Sequence, residues 1–314
     1  MDFGYHNASF VYNGGKKGTL SDKLTAHASL LEENGFTWFT VMDHYWQLPF
    51  VGHRDEPMLD CYAALSAVAE ATEEMTLSGL VTSVGYRNPA LLAKQMVSLD
   101  ALSGGRAMLG IGAGWNEPEY DAVGEEYPDP ETRIKQLRDA IRLCRTAWRE
   151  DSPVDYDGEF FDLEGFYCNP KRKIPVLVGG GGEQLTLRVT ADEADWWNLP
   201  GADPETYEHK LDVLREHCSD LRTGYGEIEK TVTVPALLRR GTEVAHEDYE
   251  ELLSETDAGP APRDEFRGAV GTPAEAAELV AEYRKLGVDT LQIEPPKNDR
   301  RTVELFADEV MPEF

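Results

Sequence analysis

Eight short apolar runs, each followed by a stretch of helical period, constrain this chain more than any other feature. The runs are FGYHNASF, FTWFTVMD, MTLSGLVTSV, RAMLGIG, IPVLVG, ADWWNL, KTVTVPALL and VDTLQIE. Between them, Leu24, Ala28 and Leu31 share one helix face, and Leu92, Met96 and Leu99 another. Ile134, Leu137, Ile141, Cys144 and Trp148 share a third. Asn88 before Pro89 reads as N-cap and first helical residue, and Gly104-Gly105 as the stop. Thr272-Pro273-Ala274-Glu275 is a capping box opening a helix over 272–286. Strands alternating with helices call for a parallel sheet covered on its faces. Eight such units predict a (β/α)8 TIM barrel, a single domain over 1–314. The competitor is a doubly wound open sheet, but no Gly-x-Gly-x-x-Gly follows the first run.

Two insertions interrupt the pattern. Residues 151–170 alternate like a hairpin with Asp157-Gly158 as its turn, and 240–270 are polar and acidic with short helical pieces. Both are expected over the C-terminal face, around the mouth of the site. The charge narrows the partners. There are 58 acidic against 30 basic residues, a net −28, spread along the chain rather than in blocks. Such a surface repels nucleic acid and anionic membranes and fits a salt-rich, halophilic cytoplasm where ions screen the repulsion. No stretch is long and apolar enough for a membrane span, and the N-terminus lacks a secretory pattern. The four cysteines and seven histidines show no metal-ligand spacing, so no metal is expected.

In a barrel, chemistry collects where strands end. The second run ends in MDHYWQLP, placing Asp43 and His44 at the strand end with Trp46 just beyond. A histidine there either exchanges protons near neutral pH or is held by its carboxylate neighbour for packing. The third run ends in TSVGYRNP, small residues before an N-cap. The fourth ends in GIGAGWNEPEY, whose alternating Gly110, Gly112 and Gly114 leave one face bare, with room for a ring, and Asn116 follows. The fifth ends in four glycines, Gly179 to Gly182, then Glu183 and a helix. Bare amides at a helix start favour an anion such as a phosphate. The sixth carries Trp196-Trp197, one facing the core and the other a pocket, with Asn198 as a polar contact. Together these read as a phosphate cradle, a smooth glycine floor and aromatic walls.

NPALLAKQMVSLDALSGGRAMLGIGAGWNEPEY resembles the central signature of the bacterial luciferase-like flavin oxidoreductases. VLVGGGGEQLTLRVTADEADWWN resembles the form in their deazaflavin (coenzyme F420) branch, and VGTPAEAAELVAEYRKLGVDTLQIE is similar to their last helix and strand. With the composition, the resemblance implies a haloarchaeal source. It implies a barrel holding the cofactor ring at the C-terminal strand ends, and a non-prolyl cis peptide near Thr82, Ser83 and Val84 that bends the ring. Phosphate contacts map onto Gly179, Gly180, Gly181, Gly182 and Glu183. Asp43, Thr82, Ser83, Val84 and Asn116 complete the implied cofactor set. His44 matches a proposed proton donor or acceptor, and Trp46, Trp115 and Trp197 wall the substrate. The sugar-phosphate branch carries a catalytic glutamate soon after the fourth-strand glycines, where this chain has Trp115. The resemblance thus implies hydride exchange between F420 and a small organic substrate, in a cytoplasmic homodimer. The alternatives are an FMN-dependent monooxygenase of the same fold and a non-catalytic flavin-binding relative. If the resemblance misleads, a phosphosugar isomerase is left, but it needs a strand-end glutamate and none stands out.

Overall fold

The computed structural model describes residues 1–13, 17–259 and 268–314. All eight apolar runs form strands. They are β1 (Asp2–Asn7), β2 (Trp38–Val41), β3 (Thr76–Gly79), β4 (Ala107–Gly112), β5 (Val176–Gly179), β6 (Trp196–Pro200), β7 (Glu229–Leu238) and β8 (Thr290–Glu294). The described residues group into two compact units. The first comprises Met1–Met75, Leu199–Glu208 and Lys230–Phe314, and the second Thr76–Asn198 and His209–Glu229.

In the first unit β7, β8, β1 and β2 lie side by side, all parallel, with a short strand at 269–271 beyond β7. Alternation along β1 divides its faces. Phe3 and Tyr5 meet the helices: Phe3 packs edge-on against Phe306 at 5.4 Å, and Tyr5 against His27 at 4.9 Å. Leu24, Ala28 and Leu31 are buried on the helix Leu20–Glu33, as the spacing predicts. Gly4 and His6 therefore face the other way. A Cβ on Gly4 would stand 2.6 Å from Gln292 Cγ, so the missing side chain makes room for that glutamine. The capping box at Thr272 and Glu275 is present and opens the helix Pro273–Lys285.

The second unit holds β3, β4, β5 and β6, also parallel. Asn88 accepts from Ala90 N and caps the helix Pro89–Leu102, and Gly104 and Gly105 end it with φ of +73° and +96°. Leu137, Ile141, Cys144 and Trp148 form the buried stripe of the helix Pro130–Arg149, and Trp148 Nε1 donates to Ala93 O at 3.0 Å. The third run is split. After β3 the peptide Leu80–Val81 is cis, and Thr82–Ser83 resume as a two-residue strand along β4. The cis bond thus lies just before the expected positions Thr82, Ser83 and Val84.

The insertions are corrected in three respects. The hairpin forms, Val154–Asp157 against Asp162–Phe166, but Asp157 is its last paired residue and the turn is the four residues 158–161. Asp139 sets that turn by accepting from Phe160 N at 2.7 Å, Phe161 N at 3.0 Å and Tyr156 OH at 2.6 Å. The hairpin also follows a helix and leads into β5, so it lies along the helix Pro130–Arg149 rather than over strand C-termini. The segment after β7 does follow a strand end. It carries a helix of 13 residues, Thr242–Ser254, longer than the short pieces expected. Residues 260–267 of that insertion lie outside the described residues. All four cysteines are free and buried. Among the described residues no helix is long and apolar enough to cross a membrane, and no cluster of His, Cys, Asp and Glu could hold a metal.

Candidate active site

The second unit ends its strands in bare backbone. Ideal Cβ atoms on Gly112 and Gly179 would each come within 2.8 Å of a Val81 methyl, and one on Gly110 would stand 1.9 Å from Gly79 O. The glycine floor is therefore filled. These glycines admit the side chain of Val81, which follows the cis peptide, and the backbone of β3. A ring would rest on Val81, not on the glycines. Gly114 serves Tyr120, whose hydroxyl would lie 2.3 Å from a Cβ there and is 2.5 Å from Ser83 Oγ. Burial raises the Tyr120 pKa, with the Ser83 bond opposing, so the phenol is neutral and able to donate. Val84 is buried, and its amide donates to Gly112 O at 2.9 Å. Thr82 is fully buried.

The glycine run, expected as a phosphate cradle, leads straight into a helix. Gly180 has φ of +119°, a region closed to most side chains, and its amide donates to Asn198 O at 3.0 Å. The amides of Gly181, Gly182 and Glu183 donate to no protein acceptor among the described residues. The helix Thr186–Glu193 begins directly afterwards at Leu185, with no side-chain cap. A helix start left with unpaired N–H groups attracts negative charge. A Cβ on Gly182 would meet Thr186 Oγ1 at 2.8 Å, so only glycine keeps the loop close to that first turn.

One predicted residue, Trp197, stands here differently than expected. Glu183 keeps its amide toward the loop, while Lys210 Nζ donates to its carboxylate at 2.6 Å and His209 Nε2 lies at 3.0 Å from it. Lys210 first, then His209, hold its pKa below the usual range. Its negative charge is thereby neutralised beside the cradle. Trp197 is fully buried and donates from Nε1 to Gly180 O at 2.8 Å, so it braces the cradle and does not face a substrate. Trp196 is the half-buried one of the pair. Trp115 is 58% exposed. Asn116 is buried, and its Nδ2 donates to Glu119 Oε2 at 2.8 Å. Glu119 is fully buried and also accepts from Tyr86 OH. The sequence offered a signal for Tyr120 and Glu119 only in their helical spacing after the glycines, which reads equally as surface.

The first unit ends its strands in polar side chains. Gln47 ties the loop after β2 to the end of β1, donating to Ala8 O at 3.1 Å and accepting from Leu48 N at 2.8 Å. Asp43 is buried, His44 half-buried, and the half-buried Trp46 stacks under the Arg54 guanidinium at 4.3 Å. His6 is buried with Nδ1 2.8 Å from Thr40 Oγ1. Burial holds its pKa down at about 3, the charge of His44 adding to the effect. At the end of β8, burial pushes Glu294 up to about 7. Sequence reading missed both His6 and this strand-end glutamate, which looked like the last polar residue of a strand.

The luciferase-like monooxygenase family profile matches residues 1–290. The chain therefore belongs to that family, and its fold class is the (β/α)8 barrel that the eight runs predict. It is 28% identical over 319 residues to the F420-dependent glucose-6-phosphate dehydrogenase of Rhodococcus erythropolis, covering 92% of this chain and 93% of that one. Among solved structures it resembles an F420-dependent secondary alcohol dehydrogenase in complex with an F420-acetone adduct, at 19% identity and a TM-score of 0.83, covering 99% and 98% of the two chains. It also resembles the coenzyme F420 dependent tetrahydromethanopterin reductase of Methanopyrus kandleri, at 20% identity and a TM-score of 0.76, covering 100% and 99%.

Proposed function

We propose that this chain is an oxidoreductase that uses the deazaflavin coenzyme F420 to move a hydride to or from a small organic substrate. It works as one luciferase-like domain over residues 1–314, in a homodimer, inside a salt-rich, haloarchaeal cytoplasm that the net charge of −28 supports. The observation that carries the reading is the cradle: three amides without protein acceptors at an uncapped helix start, in a chain of this family. The Rhodococcus erythropolis relative, similar to this chain over nearly the whole length of both, is F420-dependent, which supports this coenzyme over FMN.

When bound, the coenzyme supplies the hydride chemistry, and the protein supplies binding and orientation. The amides of Gly181, Gly182 and Glu183 receive the phosphate, and Lys210 and His209 keep the Glu183 carboxylate from repelling it. Val81 supports the ring, with Thr82, Ser83, Val84 and Asn116 shaping its surroundings. Asp43 orients His44, and His44 hydrogen-bonds the reacting heteroatom of the substrate. Trp46 and Trp115 wall the substrate, with Trp196 in place of Trp197. The reading does not extend to a sugar phosphate. Trp115 stands where that branch has its glutamate, and Glu119 nearby is fully buried, its Oε2 accepting from Tyr86 and Asn116.

Titration of the purified protein with F420, FMN and NADPH in high salt tests this. Micromolar affinity for F420, with FMN at least about tenfold weaker (about 1.4 kcal/mol), is the expected result. Copurified FMN, or oxygen uptake with reduced FMN, overturns it in favour of a monooxygenase. Tight binding without turnover, unchanged in His44→Ala, overturns it in favour of a non-catalytic relative.

A further inference from the structure

Glu294 closes β8, opposite Pro235 of β7. Two residues earlier, Gln292 accepts from Thr233 Oγ1 at 3.0 Å and its Nε2 lies 3.4 Å from Thr40 Oγ1, which puts it on the face shared by Gly4, Thr40 and Thr233. Alternation carries Glu294 to the same face, one step nearer the C-terminal end of the strands. The register, Tyr5 opposite Ile293, sets His6 beside it on β1. That end is where barrels hold their chemistry.

The carboxyl of Glu294 makes no hydrogen bond or ion pair among the described residues. Lys297, three residues on, is engaged by Glu255, and Arg239, just after β7, by Asp248 and Asp299. The groups shown to face it are Tyr5 and His6 from β1 and Tyr249 from the helix Thr242–Ser254. Tyr249 and Tyr5 both feel the Glu294 charge, which raises their own pKa values further. His6 stays neutral, so it does not draw the proton off. No structural partner accounts for this glutamate. It is half-buried, within reach of a small molecule, and loses its proton only near pH 7.

We propose that Glu294 is the proton-transferring catalytic residue, acting on a substrate that is a ketone, aldehyde or imine in its oxidised form. The inference rests on the hydride-transfer reading above. In the reducing direction the bound deazaflavin would supply the hydride of the new C–H bond, losing that C–H bond itself and being left oxidised. The π bond to oxygen or nitrogen breaks toward the heteroatom, which takes the Glu294 proton. Glu294 is left as carboxylate and is reprotonated from water. Oxidation runs the same steps backwards, the carboxylate accepting the proton of an alcohol or amine. His44 holds the heteroatom during the transfer.

The test compares wild type, Glu294→Gln and Glu294→Asp. Infrared difference spectra of the protein without coenzyme should show a protonated carboxyl band that titrates near pH 7 and is missing in Glu294→Gln. Deazaflavin fluorescence should report unchanged coenzyme affinity in all three proteins. With reduced deazaflavin and cyclohexanone, benzaldehyde or 1-pyrroline, kcat should fall about 100-fold or more in Glu294→Gln. The limb near pH 7 should disappear, and Glu294→Asp should restore part of the rate. Coenzyme binding and turnover with an unaltered pH profile in Glu294→Gln overturn the inference while the F420 reading stands. A missing band, or no turnover of any of the three probes, overturns it as well. Failure of wild type to bind deazaflavin overturns the F420 reading itself, and the inference with it.

Discussion

The two units build four parallel strands each by the same alternation, yet they end those strands in opposite ways. In the second unit the ends of β4 and β5 are glycines: the amides after Gly180 have no acceptor among the described residues, Gly110 admits the backbone of Gly79, and Gly112 and Gly179 admit Val81. In the first unit the ends of β1, β2 and β8 carry His6, Asp43, His44 and Glu294, and the layer below them is a polar chain through Thr40, Gln292 and Thr233. Under the proposed function, the bare backbone would hold the anionic tail of the coenzyme and the polar strand ends would exchange protons. Removing side chains costs conformational entropy but lets backbone approach closely. Burying titratable ones costs desolvation and favours their uncharged forms, raising Glu294 and lowering His6. The division is the one expected if binding and acid–base work are assigned to different strand ends of one fold.

The largest expected effect breaks the second unit alone. Gly110→Ala puts a methyl 1.9 Å from Gly79 O, a backbone atom that cannot step aside. Circular-dichroism melts in high salt should show the cooperative transition lost, or destabilisation of roughly 4 kcal/mol or more. Substitutions on the two sides of the comparison should then separate. Gly182→Val, colliding with Thr186 Oγ1, should weaken deazaflavin binding by at least about tenfold. His44→Ala should leave that affinity within about twofold while kcat falls roughly 100-fold. Equal losses of affinity in both would erase the distinction.

Smaller effects come from pH, and they belong to the first unit. Glu294, at about 7 in the fold against 4.5 unfolded, holds its proton more firmly when folded, so the fold is favoured below 4.5 and loses that advantage as pH rises through 7. Glu294→Gln should therefore raise stability at pH 8 by up to about 2 kcal/mol, relative to its effect at pH 4.5, in parallel urea titrations. His6 and His27 are both lowered to about 3 from 6.5 by burial. They favour the fold above 6.5, and that advantage is lost as pH falls toward 3, because the unfolded chain takes up the protons first. His6→Gln should flatten that acid limb. The smallest effect is Trp115→Ala: at 58% exposure it should change stability by less than about 0.5 kcal/mol while altering substrate KM.

Much of this was legible before any coordinates. Every apolar run became a strand, and the caps at Asn88 and Thr272 stand where their residue types place them. Such features are local: hydrogen bonds within three residues, and burial patterns with a period of two or 3.6. The hairpin turn failed for a nonlocal reason, because Asp139, 22 residues from Phe161, holds the loop open. The glycine floor failed likewise, since the sequence does not say that Val81 would fill it. Trp197 reads from the sequence as a wall of the pocket, but its partner, Gly180 O, comes from another element.

Sequence by itself determined the order and type of the main elements, the family and the position of the glycine turn before the helix Thr186–Glu193, because periodicity, caps and a run of glycines act on neighbouring residues. Tertiary structure alone decided which side chains reach an open strand end without a counter-charge. Glu294 differs from Gln292 by one pleat of β8, and its character depends on burial among segments that give its carboxyl no partner among the described residues. Burial and pairing are properties of surroundings assembled from distant segments, such as Thr40 and Gln292, 252 residues apart, and no short window of the chain contains them.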